Sequence, residues 1–129
     1  MAGIKAKDTK AELAVRTFLF RQGFRYRIHD THLPGKPDLV LPKYKTVIFI
    51  NGCFWHAHQG CRHFAIPKTN RPFWERKLMK NRERDQKVLA LLLQMGYRVL
   101  VVWECELSPS SRREETLQGL ANEIWQVES

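Results

Sequence analysis

Residues 98–103 read RVLVVW, and this short apolar run decides the fold that the sequence predicts. A run of this length and character is typical of a buried strand. The preceding apolar run is TVIFI at residues 46–50, and a helical pattern from Pro72 to about Met95 separates the two. A strand, a crossover helix and a second strand imply a parallel pair.

The residues before this unit predict one helix and two short strands. Residues 8–22 carry apolar side chains at helical spacing, which predicts an amphipathic helix. Residues 24–29 alternate apolar with basic side chains, which predicts a half-buried strand. Residues 38–41 predict a further short strand, after a turn in the sequence LPGKP at 33–37.

The residues after this unit predict a final helix. Ser111 and Glu114 form a capping box at its start, and an apolar face follows at Leu117, Leu120, Ala121, Ile124 and Trp125. The apolar half of the long helix, VLALLLQM at 88–95, is expected to be buried. The order α-β-β-β-α-β-α predicts an α/β fold with a sheet flanked by helices. We expect one domain over residues 1–129, with a flexible arm at 1–7 and the C-terminal helix within 108–129.

Charge is distributed unevenly along the chain. The net charge is +9, with 20 Lys/Arg against 7 Asp/Glu in residues 1–103 and 2 against 6 in residues 104–129. A basic body favours a polyanionic partner such as nucleic acid, although solubility alone also explains a basic surface. No apolar run is long enough to span a membrane, and the first residues lack the apolar region of a signal peptide. Three cysteines, an odd number, fit a reduced cytosolic compartment better than a disulfide framework.

The cysteines have spacing that favours a metal. Cys53, His58 and Cys61 form C-x4-H-x2-C, and Cys105 follows the strand at 98–103 in the sequence WECEL. A closed Cys3His set is typical of structural zinc. His56 and His63 compete as ligands on spacing alone, and the alternative is that the cysteines are small buried hydrophobes.

Two carboxylates are candidates for a catalytic site. Asp38 follows Pro37 at the start of a strand, where it could hold a hard cation such as Mg²⁺ or be an ordinary turn residue. Glu12 lies three residues after Thr9 in a T-x-x-E capping box, and from the same helix start it could also reach a metal-bound water.

Aromatic and basic residues alternate in the middle of the chain. Phe54 and Trp55 follow Cys53, and Phe73 and Trp74 begin the long helix. Residues 62–87 carry nine Lys/Arg against three Asp/Glu. Exposed rings on a basic surface can stack on bases or wedge between them, whereas a solvated helix capped by core aromatics is the alternative.

Four stretches together resemble the very short patch repair (Vsr) endonucleases of bacteria. They are LPGKPDLV at 33–40, VIFINGCFWHAHQGC at 47–61, FWERKLMKNRERDQ at 73–86 and GYRVLVVWECEL at 96–107. The resemblance implies a restriction-endonuclease-like αβββαβ core with a mixed central sheet and a structural zinc site. It also implies an enzyme that uses Mg²⁺ to nick double-stranded DNA beside the thymine of a T:G mismatch, which arises when 5-methylcytosine deaminates.

The resemblance also implies roles for individual residues. The zinc ligands would be Cys53, His58, Cys61 and Cys105. The magnesium ligands would be Asp38 and the main-chain carbonyl of Ile50, with His56 as the general base and Glu12 near the metal waters. Asn51 stands where the best-known member of the family has a histidine tied to those waters. Asparagine can hydrogen-bond a water but cannot titrate. The rings that enter the DNA would be Phe54, Trp55 and Trp74. The helical spacing of Lys77, Lys80 and Arg84 separately predicts that these cations contact the DNA backbone without reading its sequence.

Two other functions are compatible with the same residues. One is a nuclease of this fold with another target, such as a restriction-type or mobile-element enzyme. The other is a non-catalytic, zinc-stabilised module that binds distorted DNA. For the repair enzyme we expect a cytoplasmic, nucleoid-associated bacterial monomer whose further partners are mismatch-repair factors.

Overall fold

A computed structural model describes residues 9–28, 30–53, 65–107 and 110–126. Within these ranges the chain forms three helices and four strands in the order α-β-β-β-α-β-α, as predicted. The helices are α1 (Lys10–Arg21), α2 (Arg71–Gln94) and α3 (Ser110–Trp125), and the strands are β1 (Arg27–Ile28), β2 (Leu39–Leu41), β3 (Thr46–Asn51) and β4 (Arg98–Trp103). Among the described helices, none combines the length and apolar character needed to cross a membrane.

The strands form one mixed sheet in the order β1-β2-β3-β4. The first two pairings are antiparallel, and β3 pairs with β4 in parallel from Thr46 opposite Arg98 to Asn51 opposite Trp103. The predicted parallel pair is therefore confirmed. Helix α2 carries the chain back to the end of the sheet at which β3 begins, so β4 runs in the same direction as β3. A mixed sheet with flanking helices is the α/β architecture expected for a restriction-endonuclease-like fold.

Helices α1 and α3 cover one face of the sheet with a continuous core. This core contains twelve buried side chains, among them Val15 and Leu19 of α1 and Ile124 of α3. Alternate residues of the strands, such as Ile48 and Val102, point into the same core. The apolar face predicted for α3 is confirmed at its first four positions, whereas Trp125 is 44% exposed.

Helix α2 covers the opposite face much less completely. The core there has three buried residues, Val40, Val47 and Leu92. The expectation that residues 88–95 are buried is wrong for most of them, because only Leu92 is buried and its neighbours Leu91 and Leu93 are 48% and 55% exposed. A helix contacts a sheet along one narrow stripe, so an apolar run on consecutive positions cannot all face inward.

Three local expectations need correction at the element ends. The strand expected over 24–29 is reduced in the described residues to Arg27–Ile28; Phe24 is buried in the core, whereas Ile28 is 36% exposed. Helix α2 begins one residue early, after Asn70 in a left-handed conformation. Helix α3 also begins early, at Ser110, which places Ser111 inside the helix rather than at the N-cap.

Candidate active site

Asp38 is held at the point where the chain enters the sheet. It is half-buried and directly precedes β2. Its Oδ2 accepts a hydrogen bond of 2.6 Å from the main-chain N–H of Ile50 in β3. A carboxylate accepting a main-chain N–H is fixed in direction. The predicted pair of Asp38 and the Ile50 main chain therefore lies together in the structure.

A cleft of about 520 Å³ opens beside this pair. Its lining brings together residues from distant parts of the sequence: Glu12 of α1, Asp38, Ile50 and Asn51 of β3, and Arg84 of α2. Five residues singled out in the sequence thus share one cavity. Cavities with a few convergent polar groups are the usual form of an active site.

Glu12 lies in the first turn of α1 and also lines the cleft. Its main-chain N–H donates to Thr9 Oγ1 at 3.2 Å, which is the N-cap hydrogen bond of α1. Its carboxylate lies 3.5 Å from the guanidinium of Arg16, one turn further along the helix. Helix α1 therefore positions Glu12 at the cavity, and a catalytic role for its carboxylate stays a prediction.

The cleft is locally acidic on a basic protein. Among the described residues its lining includes four carboxylates and two cations: Glu12, Asp38, Asp85, Glu104, Lys36 and Arg84. A phosphate entering this cavity is repelled unless a cation offsets the negative charge. The donor set fits Mg²⁺, which prefers oxygen ligands and is usually held through one or two carboxylates. Within the described ranges no three histidine, cysteine or acidic side chains cluster closely enough to form an all-protein metal cage.

The segments carrying Cys53 and Cys105 stay adjacent beyond the ends of β3 and β4. The last strand pair is Asn51 and Trp103, so each cysteine lies two residues further along its own chain. A Cβ added at Gly52 would lie 3.5 Å from Glu104 Oε1, which shows how closely the two segments continue. Cys53 is buried and Cys105 half-buried. This arrangement fits the expected zinc set, whose other two ligands, His58 and Cys61, lie outside the described residues.

Other predicted site residues also lie outside the described part of the chain, namely Phe54, Trp55 and His56. Their roles stay predictions.

The predicted DNA-contacting residues of α2 lie along one side of the helix. Trp74 is half-buried and packs edge-on against Phe73, with ring centroids 5.2 Å apart. Lys77 and Lys80 are exposed. Arg84 lines the cleft and donates a hydrogen bond to Asn81. Residues three, four and seven positions apart share a helix face, so these cations extend from the cleft toward Trp74.

Three charged residues of the cleft were not singled out from the sequence, and one of them is Asp85 on α2. Lys36 lies in the turn before Asp38, and Glu104 directly precedes Cys105. The motifs LPGKP and WECEL contained both residues, but sequence spacing did not show that their side chains share a cavity with Asp38.

Known proteins resemble the chain over most of its length. The family model described as DNA mismatch endonuclease Vsr matches residues 1–62. The type II nicking enzyme V.NmeAIP of Neisseria meningitidis is 52% identical, over 96% of this chain and 88% of its own. The type II nicking enzyme V.XorIIP of Xanthomonas oryzae is 44% identical, over 93% and 88%. The DNA mismatch endonuclease Vsr of Escherichia coli is 45% identical, over 83% and 68%. With the cleft at Asp38, these similarities show that the chain belongs to the Vsr family of DNA mismatch endonucleases.

Proposed function

We propose that this protein nicks double-stranded DNA beside the thymine of a T:G mismatch left by deamination of 5-methylcytosine, by Mg²⁺-dependent phosphodiester hydrolysis. The main support for this proposal is the position of the Asp38 carboxylate. It is held by a hydrogen bond from the Ile50 N–H and lines a cleft together with Glu12 and Asn51. Membership of the family supports DNA as the substrate, and the relative from Escherichia coli is named a mismatch endonuclease.

The basic surface beside the cleft supports binding to the DNA backbone. Lys77 and Lys80 are exposed on α2, and Arg84 continues the row to the cavity. Cations of this kind neutralise phosphates and fix the position of the duplex without reading its sequence. We assign mismatch recognition instead to Phe54, Trp55 and Trp74, because a mismatched step is the least costly place to unstack a duplex.

The residues of the cleft would have separate roles in the reaction. Asp38 and the Ile50 carbonyl would hold Mg²⁺, which when bound polarises a phosphate oxygen and stabilises developing charge. Glu12 and Asn51 would orient water by hydrogen bonds, and His56 would accept a proton from the attacking water. Water oxygen bonds to phosphorus as one phosphorus–oxygen ester bond breaks, leaving a phosphate monoester and a hydroxyl on the two ends of the nick.

Zinc has a structural role in this proposal. Cys53 and Cys105 would fasten the ends of β3 and β4, and His58 and Cys61 would complete a closed set without an open position. A rigid loop between Cys53 and His58 would present Phe54 and Trp55 with little loss of conformational entropy on binding.

The test is strand nicking with Mg²⁺ on two labelled duplexes that differ only by one T:G in place of a T:A pair. We expect cleavage beside the mismatched thymine and at least about 100-fold slower cleavage of the paired duplex, the discrimination given by a few kcal/mol of unstacking cost. Tight mismatch binding without any nicking would contradict the proposal and favour a binding module.

A second candidate is a nicking enzyme directed by sequence rather than by a mismatch. The names of two similar relatives, type II nicking enzymes, favour it. Equal cleavage of the mismatched and paired duplexes at one base sequence, with no cleavage when the flanking bases change, would establish this function instead.

A further inference from the structure

Lys36 is the last residue of a rigid turn at the cleft. The turn spans Leu33–Lys36 and is closed by a 3.2 Å hydrogen bond from the Lys36 N–H to the Leu33 carbonyl. Pro34 and Gly35 occupy its centre, and the φ of Gly35 is +75°. Proline followed by a residue with positive φ is the pattern of a type II turn. The backbone at Lys36 is therefore set by the turn.

Packing holds this turn on both sides. A Cβ added at Gly35 would lie 2.5 Å from Val88 Cγ1, so the glycine backbone rests directly against α2. Pro37, the next residue after Lys36, is fully buried. Lys36 thus lies between two packed residues, Gly35 and Pro37, and two residues separate it from β2.

The backbone of Lys36 is strained in a way that glycine would relieve. Its φ is +48°, in the left-handed region that non-glycine residues adopt at a cost. Strained residues persist where their surroundings fix them, and they concentrate at ligand-binding sites. The fold alone favours glycine here, yet the position carries a lysine that lines the cleft.

The charge of Lys36 is available to a ligand. Within the described residues Lys36 forms no ion pair, although four carboxylates line the same cleft. The other cation of the lining, Arg84, donates to Asn81 and belongs to the row of cations on α2. An ammonium group is a compact point charge suited to a phosphate oxygen.

We propose that Lys36 is a phosphate-contacting residue of the active-site cleft, and that its ammonium binds a non-bridging oxygen of the DNA phosphate presented to Asp38 or of its neighbour. This inference rests on the proposed function and specifies how the backbone is held there. It adds a cation from the turn before β2 to the row on α2. The substrate phosphates would then be contacted by cations from two separate elements of the chain.

The chain offers a matched control in Lys45. This lysine is also left-handed, with a φ of +51°, and its ammonium lies 4.6 Å from the ring centroid of Tyr97. It precedes β3 at the end opposite Asn51 and is not part of the cleft lining. Lys36→Gly and Lys45→Gly therefore remove the same charge and relieve the same strain at two distances from the site.

The experiment measures single-turnover nicking and the salt dependence of mismatch binding for both variants. We expect Lys36→Gly to nick about 10- to 100-fold more slowly, the effect of losing one hydrogen bond to a charged group. Its slope of log affinity against log salt should be shallower by about 0.9, the value for one lost phosphate contact. Lys45→Gly should match the wild type in both, and both variants should keep or raise the melting temperature.

Two results would overturn the inference. One is a Lys36→Gly variant with wild-type nicking and salt slope. The other is an equal loss of slope in Lys36→Arg, which keeps the charge and should keep the slope. If the wild type itself does not nick, the proposed function fails, and the salt slope of DNA binding alone still tests whether Lys36 contacts phosphate.

Discussion

The two faces of the sheet differ in how completely they are covered. On the side of α1 and α3, twelve buried side chains form one core. On the side of α2 the core formed by the described residues contains three buried side chains, and half-buried Phe49 and Val99 line the cleft. Strand residues point alternately to each side, so both environments are built from the same few strands.

The two faces of the sheet therefore have different roles, one in stability and the other in the proposed chemistry. The well-covered face supplies the apolar burial that holds β2, β3 and β4 in register. The other face leaves the ends of the strands accessible, and Asp38 and Asn51 lie there beside the cleft. Polar groups can be placed on the open face without the cost of full burial. We therefore expect changes on the first face to affect folding and changes on the second to affect activity.

The largest effect is expected where β3 and β4 end. If zinc joins Cys53 and Cys105, Cys105→Ser should lose one zinc per chain and lower the melting temperature by about 10 °C or more, because structural zinc contributes directly to folding. Metal analysis and thermal unfolding with a chelator measure both quantities. His63→Ala, a histidine near the same motif but outside the expected set, should keep the zinc. A zinc-free wild type that is indifferent to chelator would contradict the assignment.

A smaller difference should separate two leucines on opposite faces. Leu19 and Leu92 are both fully buried, Leu19 in the large core and Leu92 in the small one. Leucine-to-alanine changes cost about 2–5 kcal/mol, and less where the surroundings can collapse into the cavity. We expect Leu19→Ala to lie near the top of this range and Leu92→Ala near the bottom. Denaturant unfolding measures the loss of unfolding free energy in each variant. Equal losses would contradict the expectation that the two faces differ in how tightly they are packed.

Two glycines should show a smaller difference again. Gly35 and Gly96 both have positive φ, at +75° and +91°, but only Gly35 is packed against a side chain, that of Val88. Alanine should cost about 1–2 kcal/mol at either position for backbone strain. At Gly35 overpacking should add about 1–3 kcal/mol. Thermal unfolding of Gly35→Ala and Gly96→Ala tests this, and equal losses would show that the turn is not fixed by α2.

The sequence predicted the sheet best where the apolar pattern and the length of the connection pointed to the same strand pairing. The runs at 46–50 and 98–103 were separated by one long helix, so a parallel pair followed, and β4 has the predicted bounds. The resemblance implied that Asp38 and the Ile50 main-chain carbonyl are magnesium ligands. In the structure the Ile50 N–H donates a hydrogen bond to Asp38, and the ligand roles stay predictions.

Features that depend on side-chain direction could not be predicted. The composition of residues 88–95 did not show which positions of α2 face the sheet, so burial was overestimated. Lys36 was missed because its placement depends on two successive positive φ angles, which the letters of LPGKP do not specify. Glu104 was missed because the chain leaves β4 in a tight 3₁₀ turn that places its carboxylate beside Gly52.

The most direct test of the account is the effect of Asp38→Asn on nicking and on binding of the T:G duplex. Asparagine keeps an oxygen that can accept from the Ile50 N–H, so the fold should survive while the negative charge is lost. We predict at least about 1000-fold slower nicking, corresponding to several kcal/mol of transition-state stabilisation, with binding affinity changed by less than about threefold. Asp30→Asn is the control, because Asp30 also accepts a main-chain N–H, from His32 at 2.8 Å, but does not line the cleft. Nicking by Asp38→Asn at the rate of Asp30→Asn would contradict the account, since the carboxylate on the open face would then have no part in the reaction.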